Sequence, residues 1–119
     1  MPRFMAHATH GRDDPERATL PFIVANVAAT ADQEAIVLLT IDGVWLATKG
    51  FADDIHHEGM PPLGELLASV VANGVEIWAC GACTKPRGIT ERDLVEGARI
   101  VSAADVVAEL ASGTPIFAG

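Results

Sequence analysis

Cys80 and Cys83 are the only two cysteines in a chain of 119 residues, and they stand at the spacing Cys-x-x-Cys. Thiols so spaced can hold a soft metal or form and break a disulfide. Residues 75–79 before them are apolar at four of five positions, with Gly74 before and Gly81 after as breakers. This predicts a short buried strand ending on Cys80. In an open α/β sheet the ligand crevice lies at the carboxyl ends of the strands, so a thiol there faces the site. Free N–H groups of Gly81, Ala82 and Cys83, with Lys85 and Arg87 close in sequence, would favour an anionic sulfur. The plainer alternative is that Cys80 packs as a small apolar residue. His7 and His10, near the end of the first strand, could complete a tetrahedral zinc site with the two thiols, or be ordinary strand-end and loop residues.

The elements that must position these residues alternate along the chain. Residues 4–8 read as a first strand, followed by a polar loop through Thr9, His10 and Gly11. Asp13 or Asp14 can cap a helix with Pro15 at its first position, running to about residue 31. Pro21 inside it predicts a kink or a restart. Residues 34–40 hold the continuous run Ile36-Val37-Leu38-Leu39, typical of a strand covered on both faces. Asp42 is expected to cap a short helix through Val44, Trp45 and Leu46. The irregular segment 50–62, with His56 and His57, is a candidate rim or lid, or a surface loop. Leu63, Leu66, Leu67, Val70 and Val71 form a helical stripe that Asn73-Gly74 ends. Thr90 and Asp93 resemble a capping box, and residues 98–101 a weak strand. Ser102 caps a helix with Ala103, Val106, Val107, Leu110 and Ala111 on one face, and Ile116 and Phe117 form a last edge strand. These elements predict one α/β domain over residues 1–119, with a mainly parallel sheet covered on both faces. Thr9-His10 and Asp42-Gly43, following the first two strands, should then approach the cysteine loop.

Half the residues are apolar and a fifth are charged, the composition of a globular domain. A formal net charge of −8 argues against nucleic-acid or anionic-membrane partners, which need a basic face. The N-terminal stretch reaches Arg12-Asp13-Asp14 too soon for a signal peptide, and the apolar run at 20–31 is too short to span a bilayer. A cytoplasmic location and thiol chemistry are therefore expected. No Gly-rich phosphate loop, dinucleotide fingerprint or Gly-x-Ser-x-Gly elbow is present, and no cofactor is expected. The carboxylates stand mostly at helix starts, where capping explains them.

With these pieces in order, the chain resembles the DsrE/DsrF-like (YchN-like) family of small sulfur-handling proteins. The matching stretches are His-Gly-Arg-Asp-Asp-Pro-Glu-Arg-Ala at 10–18, Leu-Thr-Ile-Asp-Gly-Val at 39–44, and Cys80-Gly81-Ala82-Cys83 with Arg87-Gly88-Ile89. The stretches at 93–98 and 103–107 also fit, so the likeness covers nearly the whole chain. The resemblance implies a three-layer α/β/α fold with a five-stranded, mainly parallel sheet, and assembly into homotrimers, hexamers or mixed hexamers. It also implies a cysteine at the end of the third main strand that takes sulfane sulfur as a persulfide and hands it to a partner. Counted back from Arg87-Gly88, Cys80 falls on that carrier position. Cys83 departs from the sulfur-relay branch and could resolve a persulfide into a disulfide. His10, Asp42, Gly81, Ala82 and Arg87 are expected to line the site.

Two functions of different classes follow. One is a sulfur carrier or sulfurtransferase with donor and acceptor proteins as partners. The other is a non-catalytic oligomeric binding protein whose cysteines hold a metal or small ligand, or pack. A thiol–disulfide oxidoreductase is weaker, because no Trp-Cys-Gly-Pro-Cys context accompanies the pair.

Overall fold

In the computed structural model, which describes residues 3–118, every strand ends at one edge of a single parallel sheet. The chain runs β1 (Arg3–Ala8), α1 (Pro15–Thr30), β2 (Glu34–Leu39), α2 (Leu63–Ala72), β3 (Glu76–Cys80), α3 (Gly81–Thr84), β4 (Ala98–Val101), α4 (Ala103–Ala111) and β5 (Ile116–Ala118). Four 3-10 segments, Ile41–Ala47, Phe51–Asp54, Lys85–Arg87 and Glu91–Asp93, fill the connections. The strand order is β4-β3-β2-β1-β5. From β1 to β4 the chain steps in one direction, and from β4 it returns past three strands to β5. Right-handed crossovers therefore place α1 and α2 on one face and α4 on the other.

The core divides accordingly. Alternate sheet residues Ala6, Ala8, Val37, Leu39, Ile77 and Ala79 pack with Phe22 and Ala25 of α1 and Leu63 and Val70 of α2. Met5, Ile36, Leu38, Trp78 and Val101 form the opposite cluster, with Val106 of α4 against it. Fully burying a side chain of this size contributes roughly 1.5–3 kcal/mol, so the β2 run, buried on both faces, anchors the sheet. This is the three-layer α/β/α architecture expected from the sequence.

Several local expectations are refined. Asp14 caps α1 by accepting the Arg17 amide N–H at 3.1 Å, with Pro15 opening the helix. Pro21 lies inside one uninterrupted helix, so no restart occurs. Asp42 does not cap the segment that follows β2. Thr40 holds the cap position there, and the Asp42 carboxylate is engaged by Arg87 instead. The α4 stripe differs most: no residue of that helix is fully buried, and Val107 remains 64% exposed.

Candidate functional site

Cys80 closes β3 and pairs with Val101 of β4, so its sulfur stands at the carboxyl edge where the chain turns into α3. The turn is short and pinned from beneath. Thr84 is buried and its hydroxyl donates to the Gly81 carbonyl at 3.2 Å. Gly88 adopts φ +70, which favours glycine, and lets the chain reverse so that buried Ile89 bonds back to the Thr84 carbonyl at 3.1 Å. Both cysteines are free and partly exposed. Ala82, between them, is exposed.

The loop after β2 comes to this turn. Ile41 has φ +55, a left-handed conformation that β-branched residues avoid, and its side chain is largely in solvent. In that conformation its amide N–H donates to Cys83 Sγ at 3.1 Å. Next to it, the Asp42 carboxylate accepts from Arg87 Nη2 at 2.9 Å and Nε at 3.3 Å. A second arm of Arg87, Nη1, donates to the Cys83 carbonyl at 3.0 Å. One guanidinium thus ties the cysteine turn to the β2 loop, using the fixed fork that distinguishes arginine from lysine. Gly43 makes the approach feasible: a Cβ there would lie 2.3 Å from the Ala8 carbonyl oxygen at the end of β1.

The loop after β1 forms the next part of the rim. A Cβ on Gly11 would lie 3.1 Å from the Asp42 carbonyl, so the two loops touch. His10 Nδ1 lies 2.7 Å from Asp13 Oδ2, while the Gly11 amide donates to the other carboxylate oxygen at 2.8 Å. The His10 hydrogen bond, then the Gly11 one, holds the Asp13 carboxyl below its ordinary range. Arg12 lies 4.2 Å above the Phe51 ring, and Phe51 stacks on Trp45 at 5.8 Å.

Sequence reasoning had brought Cys80, Cys83, Asp42 and Arg87 to one place, and these four are linked directly or through the one-turn α3. His10 lies at the same edge but is bound within its own loop. The histidines of the segment 50–62 point elsewhere: His56 bonds the Met60 carbonyl at 2.7 Å, and His57 lies 3.8 Å from Glu16 of α1. His7 Nε2 is 2.7 Å from Thr40 Oγ1, and burial lowers its pKa. Among the described residues no three His, Cys, Asp or Glu side chains are grouped to hold a metal ion. Ile41, which the sequence does not single out, also reaches the cysteine turn. It contributes a main-chain donor, and its residue type gives no signal of a positive φ.

A parallel three-layer domain with a cysteine turn at the carboxyl edge of its sheet defines a class of small cysteine-bearing α/β proteins. Within that class the chain belongs to the DsrE/DsrF-like family, whose family model matches residues 3–117. It is 36% identical over 95 residues to the uncharacterized protein MJ0760 of Methanocaldococcus jannaschii, covering 80% of this chain and 34% of that protein. The chain thus spans about a third of that relative's length. It is 36% identical over 92 residues to the uncharacterized protein MK0008 of Methanopyrus kandleri, covering 77% of this chain and 73% of that protein. The crystal structure of the ychN protein from E. coli superimposes with a TM-score of 0.82 at 18% identity, covering 100% of both chains, and shares the fold. Among the described residues no helix is long and apolar enough to cross a membrane.

Proposed function

We propose that this protein is a sulfur carrier of the reducing cytoplasm, in which Cys80 accepts a sulfane sulfur as a persulfide and passes it to a partner protein. The observation that carries this reading is the place of Cys80, a free and partly exposed thiol closing β3 at the carboxyl edge of the sheet, where the loop after β2 meets the cysteine turn. The Ile41 amide, donating to Cys83 Sγ at 3.1 Å from a left-handed backbone conformation, holds the second sulfur of the pair beside that edge. The membership in a sulfur-handling family supports the same conclusion.

In loading, the Cys80 thiolate attacks the outer sulfur of a donor persulfide. The donor's S–S bond breaks, its thiolate leaves and takes a proton, and Cys80 holds the new S–S bond with no net redox change. Delivery repeats the step with the acceptor's thiolate as attacker. Cys83 has the secondary role. By attacking the inner sulfur at Cys80 it would expel hydrosulfide, reducing the sulfane sulfur by two electrons as the two cysteines become a disulfide.

Intact-mass spectrometry of the reduced protein, after exposure to a persulfide donor, tests this. The wild type should gain one sulfur atom, Cys80→Ser none, and Cys83→Ser one that persists longer. Loading lost in Cys83→Ser and kept in Cys80→Ser would reverse the carrier assignment. If no form loads sulfur, the non-catalytic binding protein replaces it. Assembly into a homotrimer or homohexamer belongs to the same proposal. Its support is the apolar surface left open by Val107, Leu110 and Ile116 on α4 and β5.

A further inference from the structure

Arg87, which ties the cysteine turn together, also lines a cavity of ≈ 390 Å³. Its walls include Trp45, Lys49, Ile89, Arg92 and Asp93. Three of the chain's eight lysines and arginines converge there, although the chain carries a formal net charge of −8. The acidic groups offset them only in part, although the Asp93 carboxylate lies in the field of both Arg92 and Lys49. Asp93 is turned onto Thr90, accepting its amide N–H at 2.8 Å and its hydroxyl at 3.1 Å, and Asp42 is held by Arg87. Counting both carboxylates against the three cations still leaves one positive charge, 3 − 2 = +1. The Lys49 ammonium donates to the Arg92 carbonyl at 3.1 Å, and among the described residues neither Lys49 nor Arg92 has a carboxylate within ion-pair distance.

Thr48, Gly88, Trp45 and Ile89 complete the wall, the last two supplying its apolar side chains. Trp45 is backed by Phe51, and Ile89 is buried. Cations beside an indole and an aliphatic wall suit an organic anion with an apolar body better than a bare inorganic ion. The volume falls in the range of small-molecule sites, about 300–1,000 Å³. Arg87 connects the cavity to the cysteine turn, because it both lines the cavity and donates to the Cys83 carbonyl at 3.0 Å.

We propose that this cavity binds a low-molecular-weight organic sulfur compound bearing an acidic group, the small-molecule donor or acceptor of the relay. Its anion sits between Lys49 and Arg92, its body lies against Trp45 and Ile89, and its sulfur faces the cysteine turn. The sulfur part of the assignment rests on the carrier reading; the anion site does not.

Calorimetric titration with benzenesulfonate, an unreactive anion with an apolar body, separates the two. Benzenesulfonate should bind the wild type at least tenfold more tightly than neutral benzenesulfonamide. Lys49→Gln and Arg92→Gln should each weaken it by about tenfold, the scale of one charge-assisted contact. Arg17→Gln, the same charge change on α1, should leave binding unchanged, as should Cys80→Ser. Both cavity residues are exposed, so their variants should keep the wild-type fold, which circular dichroism checks.

Loading is then followed with benzenethiosulfonate, whose outer sulfur passes to the thiolate as benzenesulfinate leaves. The cavity variants should raise the half-saturating concentration by the same factor and leave maximal loading unchanged. Equal binding of sulfonate and sulfonamide, or unaltered binding in both cavity variants, overturns the proposal. Binding of an acidic peptide alone, lost in the same variants, assigns the cavity to a protein segment and also overturns it. Sulfonate binding as described with no loading of any form leaves the anion site standing and removes the carrier reading.

Discussion

Replacing Gly43 by alanine tests whether the β2 loop is held against the cysteines by close backbone approach. The added Cβ would fall 2.3 Å from the Ala8 carbonyl oxygen and 2.9 Å from its carbonyl carbon. Ordinary contact is about 3.5 Å, so one of two main-chain segments must move by roughly 1 Å. Ala8 is fixed in β1 by its pairing with Leu39, and the 3-10 segment carrying Gly43 is therefore the part that yields. That segment buries Val44, Leu46 and Ala47, so the shift should cost about 1–3 kcal/mol, as overpacking does. A displacement of this size would also stretch the Ile41 N–H bond to Cys83 Sγ from 3.1 Å to about 4 Å, past the useful range. Gly43→Ala should therefore lower the urea midpoint and, while still folded, load sulfur more slowly in a timed intact-mass assay. A stability change under about 0.5 kcal/mol together with wild-type loading would refute the close-approach argument.

Acid sensitivity and assembly offer two further tests. Arg3 donates to Glu109 at 2.6 and 3.0 Å and holds that carboxyl below its ordinary value, while Thr114 adds a hydrogen bond. A depressed carboxylate stabilises the fold above its unfolded pKa and loses that contribution as pH falls through the folded one. Glu109→Gln should thus flatten the loss of thermal stability below about pH 4.5 relative to wild type, and an identical acid limb would remove the ion pair from the account. For the proposed oligomer, Val107→Asp should shift the mass from light scattering toward the monomer with little loss of stability, because Val107 is 64% exposed in the single chain. Either an unchanged oligomer or a monomeric wild type at micromolar concentration counts against that surface.

The sheet and the cysteine turn were legible because their signals are local. The β2 run of four apolar residues, the Pro15 helix start and the Cys80 strand end each express a rule acting over a few positions. Asp42 misled for the same reason: an aspartate before an apolar stretch looks like a cap, and Arg87, 45 residues away, claims it instead. The segment 50–62 looked irregular, yet Phe51 is anchored by Trp45 and Arg12, contacts that no window of neighbouring residues contains. The α4 stripe was read correctly as apolar, but periodicity does not say whether a stripe meets its own sheet or faces outward.

The position of β1 also has a consequence for how the chain matures. β1 is made before the other four strands and is flanked by β2 on one side and β5 on the other. Its second neighbour, Ile116–Ala118, emerges more than a hundred residues later, roughly 5–20 s at ordinary elongation rates. During that interval β1 presents a hydrogen-bonding edge with no partner, beside the buried-type residues Met5 and Ala6. When β5 arrives it offers only three residues, and the Met5 amide reaches its segment through the Pro115 carbonyl at 2.9 Å. The closing contact is thus both the most distant in sequence and among the shortest in length, which makes it slow to form and early to open. Hydrogen exchange should begin at this seam, separated by β2 from the strand that ends on Cys80.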